Sequence, residues 1–262
     1  MIRALYTAAS GMSAQQANLD TIANNLANSA TAGFRSHSLQ FEDMVYQNLI
    51  TPGAPSSTQT TSAGLQIGLG TRTSATEVIQ KQGDFNQTGN PLDVAIQGGG
   101  FFQVQQPDGT IAYSRAGSFH LNSQGTIVTA EGNQILPAIT VPANATSMTI
   151  SSYGVVSATI PGQTTASQLG IIQLANFANP GGLNSLGGSL YAQTTASGNA
   201  ITDVPGGTSG TGQLQQGYLE NSNVDVVTEF VQMILAQRAY ESNSKVVHVA
   251  DDMYQQINGI IR

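Results

Sequence analysis

The chain has 262 residues, of which 40% are hydrophobic and only 9% are charged, whereas roughly a quarter of an average soluble domain is charged. This length accommodates one large domain or two modest ones, and the hydrophobic fraction is sufficient for a core. The net charge is −7 and no run of basic residues occurs, which argues against nucleic acid or an anionic membrane as a partner. A surface with so few charges resists self-association weakly, so it suits both a subunit that packs against its own copies and a secreted β-protein.

The sequence also lacks signals for cross-linking and for membrane insertion. No cysteine is present, which excludes a disulfide framework and any thiolate metal site. Arg3 could mimic the basic start of a signal peptide, but Thr7, Ser10 and Ser13 interrupt the apolar stretch that such a peptide needs. No segment approaches the roughly 18 consecutive apolar residues of a membrane span. We therefore expect no membrane insertion, and export without a cleaved signal peptide if the protein leaves the cytoplasm.

Residues 2–28 are predicted to form a coiled-coil-like helix, because apolar residues recur there at alternating steps of three and four. This N-terminal stripe consists of Ile2, Leu5, Ala9, Met12, Gln16, Leu19, Ala23 and Leu26. Several asparagines in the segment are poor helix formers, so the helix needs a partner surface to stay folded. Gly33 suits the left-handed residue that follows a helix, and residues 1–33 are predicted to be the N-terminal part of an inner-core domain.

Residues 222–262 are predicted to form a second helix, because apolar and small residues recur there with a mean step of about 3.6. This C-terminal stripe consists of Val224, Val227, Val231, Leu235, Ala239, Ser242, Val246, Ala250, Met253, Ile257 and Ile260. Ser222, three residues before Asp225, predicts a capping-box-like start. We expect the terminal helices to pair with each other and with neighbouring subunits. A helix pair inside a globular core would show the same pattern, but the position of the helices at opposite ends of the chain favours a polymer.

Between the helices, residues 71–221 have the alternation and the turn glycines of short antiparallel strands. Residues 92–97 are predicted to form a half-buried strand. Hairpins are predicted across Pro107-Asp108-Gly109 and around Gly125. The further predicted strands span residues 148–150, 155–160 and 169–177. The predicted fold class is α+β and mainly β, with paired terminal helices and a central antiparallel β-rich domain.

Residues 34–70 are predicted to be a linker, and residues 48–70 differ in composition from everything around them. Their sequence, NLITPGAPSSTQTTSAGLQIGLG, is rich in Pro, Gly, Ser and Thr and has no charge, which is typical of a loop. Leu65, Ile67 and Leu69 nevertheless alternate with Gln66 and a glycine, so part of the segment is predicted to pair as a strand.

No set of residues with a recognisable catalytic or ligand-binding spacing occurs in the chain. The three histidines are His37, His120 and His248, and none has a metal-ligand spacing such as HExxH. Asp251 and Asp252 are adjacent on a predicted helix, so their carboxylates do not face each other. The triplet at residues 98–100 matches no phosphate-binding loop and is predicted to be a tight turn. We expect no catalytic, cofactor-binding or metal-binding residues, and a protein that is not an enzyme.

Three segments resemble the flagellar basal-body rod and hook protein family. The N-terminal run AASGMSAQQANLDTIANNLANSATAGFRS resembles the family signature, in which ANNLAN is followed by a Thr, a Gly and an aromatic residue. TGNPLDVAIQGGGFFQV at residues 88–104 and GYLENSNVDVVTEFVQMILAQRAYESNSKVV at residues 217–247 are similar to two further family segments. Ala32 and Arg35 stand where relatives often have other residues, and Gly99 makes the GxG turn a triplet. The three matches occur in the family's order and cover both ends and the body, so a chance similarity is negligible.

The resemblance implies that the terminal helices form the inner tube of a helical polymer and that the β-domain lies outside. It assigns subunit packing to Leu5, Met12, Leu19, Ile22, Leu26, Asn24, Asn25, Asn28, Val227, Val231, Leu235, Val246, Met253 and Ile257. The implied partners are copies of the chain, proximal rod proteins, the hook protein, the bushing of P- and L-rings, and the flagellar type III export apparatus. The implied location is the flagellar basal body, from the periplasm to the outer membrane.

Within the family, the start MIRALYTAASGM and the segment 51–72 are similar to distal rod subunits. The residues that mark this rod-type insertion are Pro52, Pro55, Leu65, Ile67 and Leu69. A proximal rod or hook subunit is the alternative within the family. A secreted, β-rich adhesin-like binding protein is the alternative of a different class.

Overall fold

The computed structural model describes residues 2–50, 55–56, 59–60, 64–162 and 165–260. Within them, the helices are α1 (Ile2–Ala27) and α2 (Val226–Ile260), and a short 3-10 helix spans Pro180–Gly182. The strands are β1 (His37–Asp43), β2 (Gln47–Ile50), β3 (Pro55–Ser56), β4 (Gln59–Thr60), β5 (Leu65–Ile67), β6 (Thr71–Val78), β7 (Phe85–Gln87), β8 (Val94–Gln97), β9 (Phe101–Gln105), β10 (Ile111–Ser114), β11 (Phe119–Leu121), β12 (Ile127–Thr129), β13 (Gln134–Leu136), β14 (Ser147–Ile150), β15 (Val155–Thr159), β16 (Ser167–Ile171), β17 (Leu174–Asn176), β18 (Asn184–Gly187), β19 (Leu190–Ala192), β20 (Ile201–Asp203), β21 (Gln213–Gln216) and β22 (Tyr218–Glu220).

The chain divides into two compact units. The helical unit comprises Met1–Ala27, His37–Glu77 and Asp225–Arg262, and the β-body comprises Asn28–Ser36 and Val78–Val224. The predicted boundaries at residues 34 and 71 differ from this division. Residues 37–77 group with the helices because β1 pairs with β6 and contacts α1. The predicted linker therefore contributes strands to the helical unit, and the β-body begins at Val78.

In the helical unit, α1 and α2 lie side by side and antiparallel. Asn25 near the end of α1 hydrogen-bonds Glu229 near the start of α2, and Gly11 faces Asn243 further along. A Cβ atom at Gly11 would lie 2.8 Å from the Asn243 Nδ2 atom, so the missing side chain permits this close approach. The backbones are close because the contacting residues are small.

The start of α2 differs from the predicted capping box. Asp225 is the capping residue: its carboxylate accepts hydrogen bonds from the Thr228 hydroxyl at 2.6 Å and the Val227 N–H at 3.1 Å. These bonds, that of Thr228 first, lower the pKa of Asp225. Ser222 instead accepts a bond from the Val224 N–H at 3.3 Å, so the capping box at Ser222 was wrong and the helix begins one turn later.

In the described part of the β-body, β9 lies in the middle of a nine-stranded sheet and pairs with β10, β13 and β17. Because neighbouring side chains of a strand point to opposite faces, Phe101 and Phe102 enter different apolar clusters. The Phe102 ring packs edge-on against Phe119, with centroids 5.0 Å apart. The Phe101 ring packs in the same way against Phe177 at 5.9 Å. The sheet is therefore covered on both faces at this strand.

Both predicted hairpins are confirmed, since β9 pairs with β10 and β11 with β12, each antiparallel. The predicted single strand at residues 169–177 is wrong. It divides into β16, which joins β14 and β15, and β17, which joins the large sheet. Ile172 lies between them, with its N–H bonded to the Gly154 carbonyl and its side chain buried. The strand at 92–97 is also more buried than predicted, because Ala95 lies in the interior beside Val94.

Candidate assembly surface and signature junction

Helix α2 carries exposed apolar side chains in two runs, at residues 226–235 and 246–257, which together we call the α2 apolar face. Its members are Val226, Val227, Phe230, Val231, Ile234, Leu235, Val246, Val249, Met253 and Ile257. Val227 is 71% exposed and Leu235 is 64% exposed. This face includes every C-terminal residue that the family resemblance assigned to subunit packing. Exposed apolar residues in this number make the α2 apolar face a candidate site of interaction.

The α1–α2 seam uses mostly other residues than the predicted stripes, and Ala250 is the stripe residue that it shares. On α1 the buried residues are Ala8, Ala14, Ile22 and Asn25, and on α2 they are Glu229, Ala236 and Ala250. Leu5, Met12, Leu19 and Leu26 of the N-terminal stripe are half-buried beside this seam, whereas Ala9 and Ala23 are exposed. The N-terminal stripe is therefore offset from the buried face by about one residue. Ile22 is the large apolar side chain that the seam encloses on α1.

The Asn25 side chain forms its hydrogen bonds within the chain. Its Nδ2 atom donates to the His37 carbonyl at 2.8 Å and to Glu229 Oε1 at 3.1 Å, and its Oδ1 atom accepts from the His37 N–H at 2.9 Å. The sequence predicts that this amide bonds a neighbouring subunit, but in the structure it joins α1 to α2 and to β1. Asn24 is exposed and Asn28 is half-buried, and the Asn28 side chain accepts a hydrogen bond from the Thr31 hydroxyl at 3.2 Å.

Glu229 is a buried carboxyl group in this seam. Burial raises its pKa above the ordinary value, the hydrogen bond from Asn25 acts in the opposite direction, and the nearby charge of Asp225 adds to the increase. Its second carboxyl oxygen has no hydrogen-bond partner among the described residues. The protonated form is therefore favoured in the helix pair compared with the open chain.

The rod-type insertion projects a two-stranded ribbon, formed by β2 and β5. The strands are antiparallel, with Leu65 opposite Ile50 and Ile67 opposite Gln47. This confirms that part of the segment pairs as a strand, although Leu69 lies beyond β5. The exposed apolar residues in and next to the ribbon are Val45, Tyr46, Leu49, Ile50 and Leu65. Ile67 and Leu69 are half-buried, Pro55 begins β3, and Pro52 lies outside the described residues.

In the β-body, a buried ionic cluster joins residues from the two signature segments. Arg35 and Glu220 have side chains that are 0% exposed, and Nη2 of Arg35 lies 2.7 Å from Glu220 Oε1. The angle is unsuitable for a hydrogen bond, so this contact is ionic. Arg115 lies 3.4 Å from the second Glu220 oxygen and stacks over the Phe101 ring at 5.3 Å.

Two arginines share one buried carboxylate, and burial is the largest contribution to the pKa shift of Arg115. The pKa of Arg115 falls to about 10, first because of burial, with the Glu220 charge opposing and the Arg35 charge reinforcing the decrease. Backbone carbonyls complete the coordination: Arg35 donates to Lys81 O at 2.8 Å and Arg115 to Gly98 O at 2.7 Å. Sequence reasoning missed this cluster, because Arg35 and Glu220 are 185 positions apart and only their membership of two signature segments could have linked them.

In the described part of the chain, no three His, Asp or Glu side chains come together as metal ligands. Over the same residues, neither helix has an apolar stretch long enough to cross a membrane.

Three family profiles match the chain in sequence order. Residues 5–35 match the flagella basal body rod protein profile, residues 95–158 match the flagellar hook protein FlgE/F/G D1 domain, and residues 215–260 match the flagellar basal body rod FlgEFG protein C-terminal profile. The first match ends at Arg35, and the last includes Glu220 and the whole α2 apolar face.

The chain is similar over its whole length to flagellar basal-body rod proteins named FlgG. It is 49% identical to that of Buchnera aphidicola subsp. Schizaphis graminum over 98% of this chain and 99% of the relative. It is 46% identical to that of Caulobacter vibrioides over 97% of each chain, and 45% identical to that of Borreliella burgdorferi over 100% of each. The chain therefore belongs to the FlgG family of flagellar basal-body rod proteins.

Proposed function

We propose that this protein is a structural subunit of the flagellar distal rod, the shaft between the proximal rod and the hook, and that it acts by polymerising. The α2 apolar face carries this proposal. In a monomer, this helix leaves large apolar side chains in contact with water over most of its length, which is unfavourable. The family is structural rather than enzymatic, so this surface is an assembly surface.

The proposed occupant of the α2 apolar face is the terminal helices of neighbouring copies. The three- and four-residue steps of the N-terminal stripe suit coiled-coil-like packing in the polymer, and Leu5, Met12, Leu19 and Leu26 retain exposed surface for it. Asn24 and Asn28 would lie near such contacts. The proposed further partners are the proximal rod proteins, the hook protein and the P- and L-ring bushing. Delivery would use the flagellar type III export apparatus without a cleaved signal peptide, to a basal body that extends from the periplasm to the outer membrane.

Electron microscopy of a deletion strain tests this role. We expect basal bodies that end after the proximal rod and carry no hook, because each part is built on the one before it. Complementation with the parent chain should restore the distal rod. A deletion strain with complete rods and hooks would contradict the proposal.

The rod-type insertion is proposed to keep the polymer straight. Its ribbon exposes apolar residues on β2 and β5, which suits a wedge between the β-body and adjacent copies. Such a wedge would prevent the sliding that bending requires. The prolines Pro52 and Pro55 would stiffen the segment and lower the entropy of the unfolded chain.

Deletion of residues 48–66 tests the wedge, because it removes most of both ribbon strands. A matched variant replaces the same residues with a Gly/Ser sequence of equal length, which preserves the reach of the loop but not its apolar contacts. We expect both polymers to be softer or curved in electron micrographs. If both are as straight and stiff as the parent polymer, the segment is a solvated linker.

A further inference from the structure

The chain passes between the β-body and the helical unit through three segments of the β-body. These attachment segments are residues 28–36, 78–84 and 217–224. The first continues into the helical unit at both ends, whereas the second and third are the start and the end of the long stretch of the β-body from Val78 to Val224. Force that is passed along the covalent chain between the two units enters the β-body through these segments. How rigidly the β-body responds to that force therefore depends on how firmly these segments are attached to it.

One side-chain amide joins all three attachment segments. Asn223, in the last of them, accepts a hydrogen bond from the Ser36 N–H through Oδ1 at 2.7 Å. Its Nδ2 atom donates to Ile79 O at 2.8 Å and to Lys81 O at 2.9 Å. Both N–H donors and the oxygen of the Asn223 side-chain amide are thus hydrogen-bonded, each to a backbone atom of one of the other two attachment segments.

The Glu220 carboxylate joins the same segments a second time. Its Oε1 atom accepts a hydrogen bond from the Gly83 N–H at 3.1 Å and pairs with Arg35. The Glu220 carbonyl also accepts from the Gly33 N–H at 2.8 Å. Because Glu220, Arg35 and Ser36 are buried, water does not compete for these bonds.

The backbones approach so closely that two positions admit only glycine. A Cβ atom at Gly83 would lie 2.1 Å from the Asn221 carbonyl oxygen, and one at Gly33 would lie 2.5 Å from the Ala116 nitrogen. Gly33 also has a φ of +69°, which disfavours any other residue. The attachment segments are thus closely packed as well as hydrogen-bonded.

We propose that Asn223 and Glu220 form a clamp that holds the three attachment segments in one arrangement, so that force is received by all three together. Without it, each segment could peel from the β-body in turn. With it, displacement of one segment requires the bonds of all three to break at once. The link to torque in a rod rests on the proposed function, whereas the clamp itself is a property of the isolated chain.

Hydrogen exchange on the purified chain tests the clamp locally. Asn223→Ala should speed exchange of the Ser36 amide at least about tenfold, since each lost bond contributes roughly a factor of ten. Asn223→Asp keeps the acceptor for Ser36 but loses both donors, so it should loosen residues 78–81 more than the Ser36 amide. Asn221→Ala, an exposed asparagine in the same segment, is the control and should change neither. Amides of β9 and β10 should keep the parent rate in all variants.

Pulling experiments test the clamp mechanically. The absence of cysteine allows handles on the two chain ends, or on Gln124→Cys and Thr195→Cys in exposed loops of the β-body. Asn223→Ala should raise the unfolding rate of the β-body about tenfold when the ends are pulled and leave it unchanged when the loops are pulled. Equal effects in both directions, or faster exchange spread evenly over the β-body, would overturn the clamp, because an ordinary stabilising contact does not depend on direction. Failure of every variant and the parent to polymerise would contradict the proposed function and leave these outcomes intact.

Discussion

Truncation of Leu235 is the sharpest perturbation of the proposed assembly surface. Leu235 belongs to the α2 apolar face and is 64% exposed, so its removal costs the monomer little. Complete burial of a leucine contributes about 1.5–3 kcal/mol. Roughly two thirds of that remains to be gained, which gives about 1–2 kcal/mol for each subunit that is added. Leu235→Ala should therefore raise the critical concentration for polymerisation about 5- to 30-fold.

The assay compares purified chains by sedimentation of polymer across a concentration series, with circular dichroism to show that each monomer keeps its fold. Leu235→Asp should abolish polymer at every accessible concentration, because it would place an unpaired charge in an apolar contact. Leu186→Ala is a matched control, since Leu186 is 48% exposed in the β-body. If Leu235→Ala assembles at the critical concentration of the parent, or if both leucines have the same effect, the assignment of the α2 apolar face is refuted.

Three further predictions concern the isolated monomer. Glu220→Gln should lower the free energy of unfolding of the β-body by about 3–5 kcal/mol, because two buried arginines lose their counter-charge; urea denaturation measures this, with the exposed Glu131→Gln as control, and a loss below about 1 kcal/mol would contradict the cluster's role. Because the pKa of Glu229 is raised in the helix pair, the pair is favoured below the ordinary carboxyl pKa and weakens as the pH rises through the raised value; helix content by circular dichroism should fall from about pH 4 upward in the parent but not in Glu229→Gln, and parallel profiles would count against this. Hydrogen exchange at pH 7 should show α1 (Ile2–Ala27) and α2 (Val226–Ile260) unprotected in the monomer beside a protected β9, since the seam buries mostly small residues; strong protection of both helices in a verified monomer at this pH would rule this out.

Local patterns predicted both helices and the strands β5, β8 to β12, β14 and β15. The turn at Pro107-Asp108-Gly109 and the turn at Gly125 fix hairpins whose strands are neighbours in sequence, so no distant contact is needed to place them. The strand predicted at 169–177 failed for the opposite reason. Its apolar run is continuous, and only long-range pairing decides that β16 joins one sheet and β17 another.

The site was predictable only where the residues themselves are periodic. The C-terminal stripe indicated six of the exposed apolar residues of α2, because the amphipathic pattern of a helix lies within a single segment. Asn25 depends on Glu229, which is 204 positions away, and Glu220 depends on Arg35, which is 185 positions away. Asn223 depends on Ile79, which is 144 positions away. A pattern within one helix carries no information about such partners.

The choice of small residues for the α1–α2 seam explains how the apolar stripe of α2 remains available. Had Val227 or Leu235 faced α1, the helix pair would have buried its own apolar surface and closed as a monomer. Ala236 faces the seam instead, and Gly11 admits Asn243 at close range, so the helices meet without using their large side chains. On the proposed function, most of the hydrophobic free energy of α2 would be released only on contact with another surface, and ordering of the helices would be coupled by mass action to assembly.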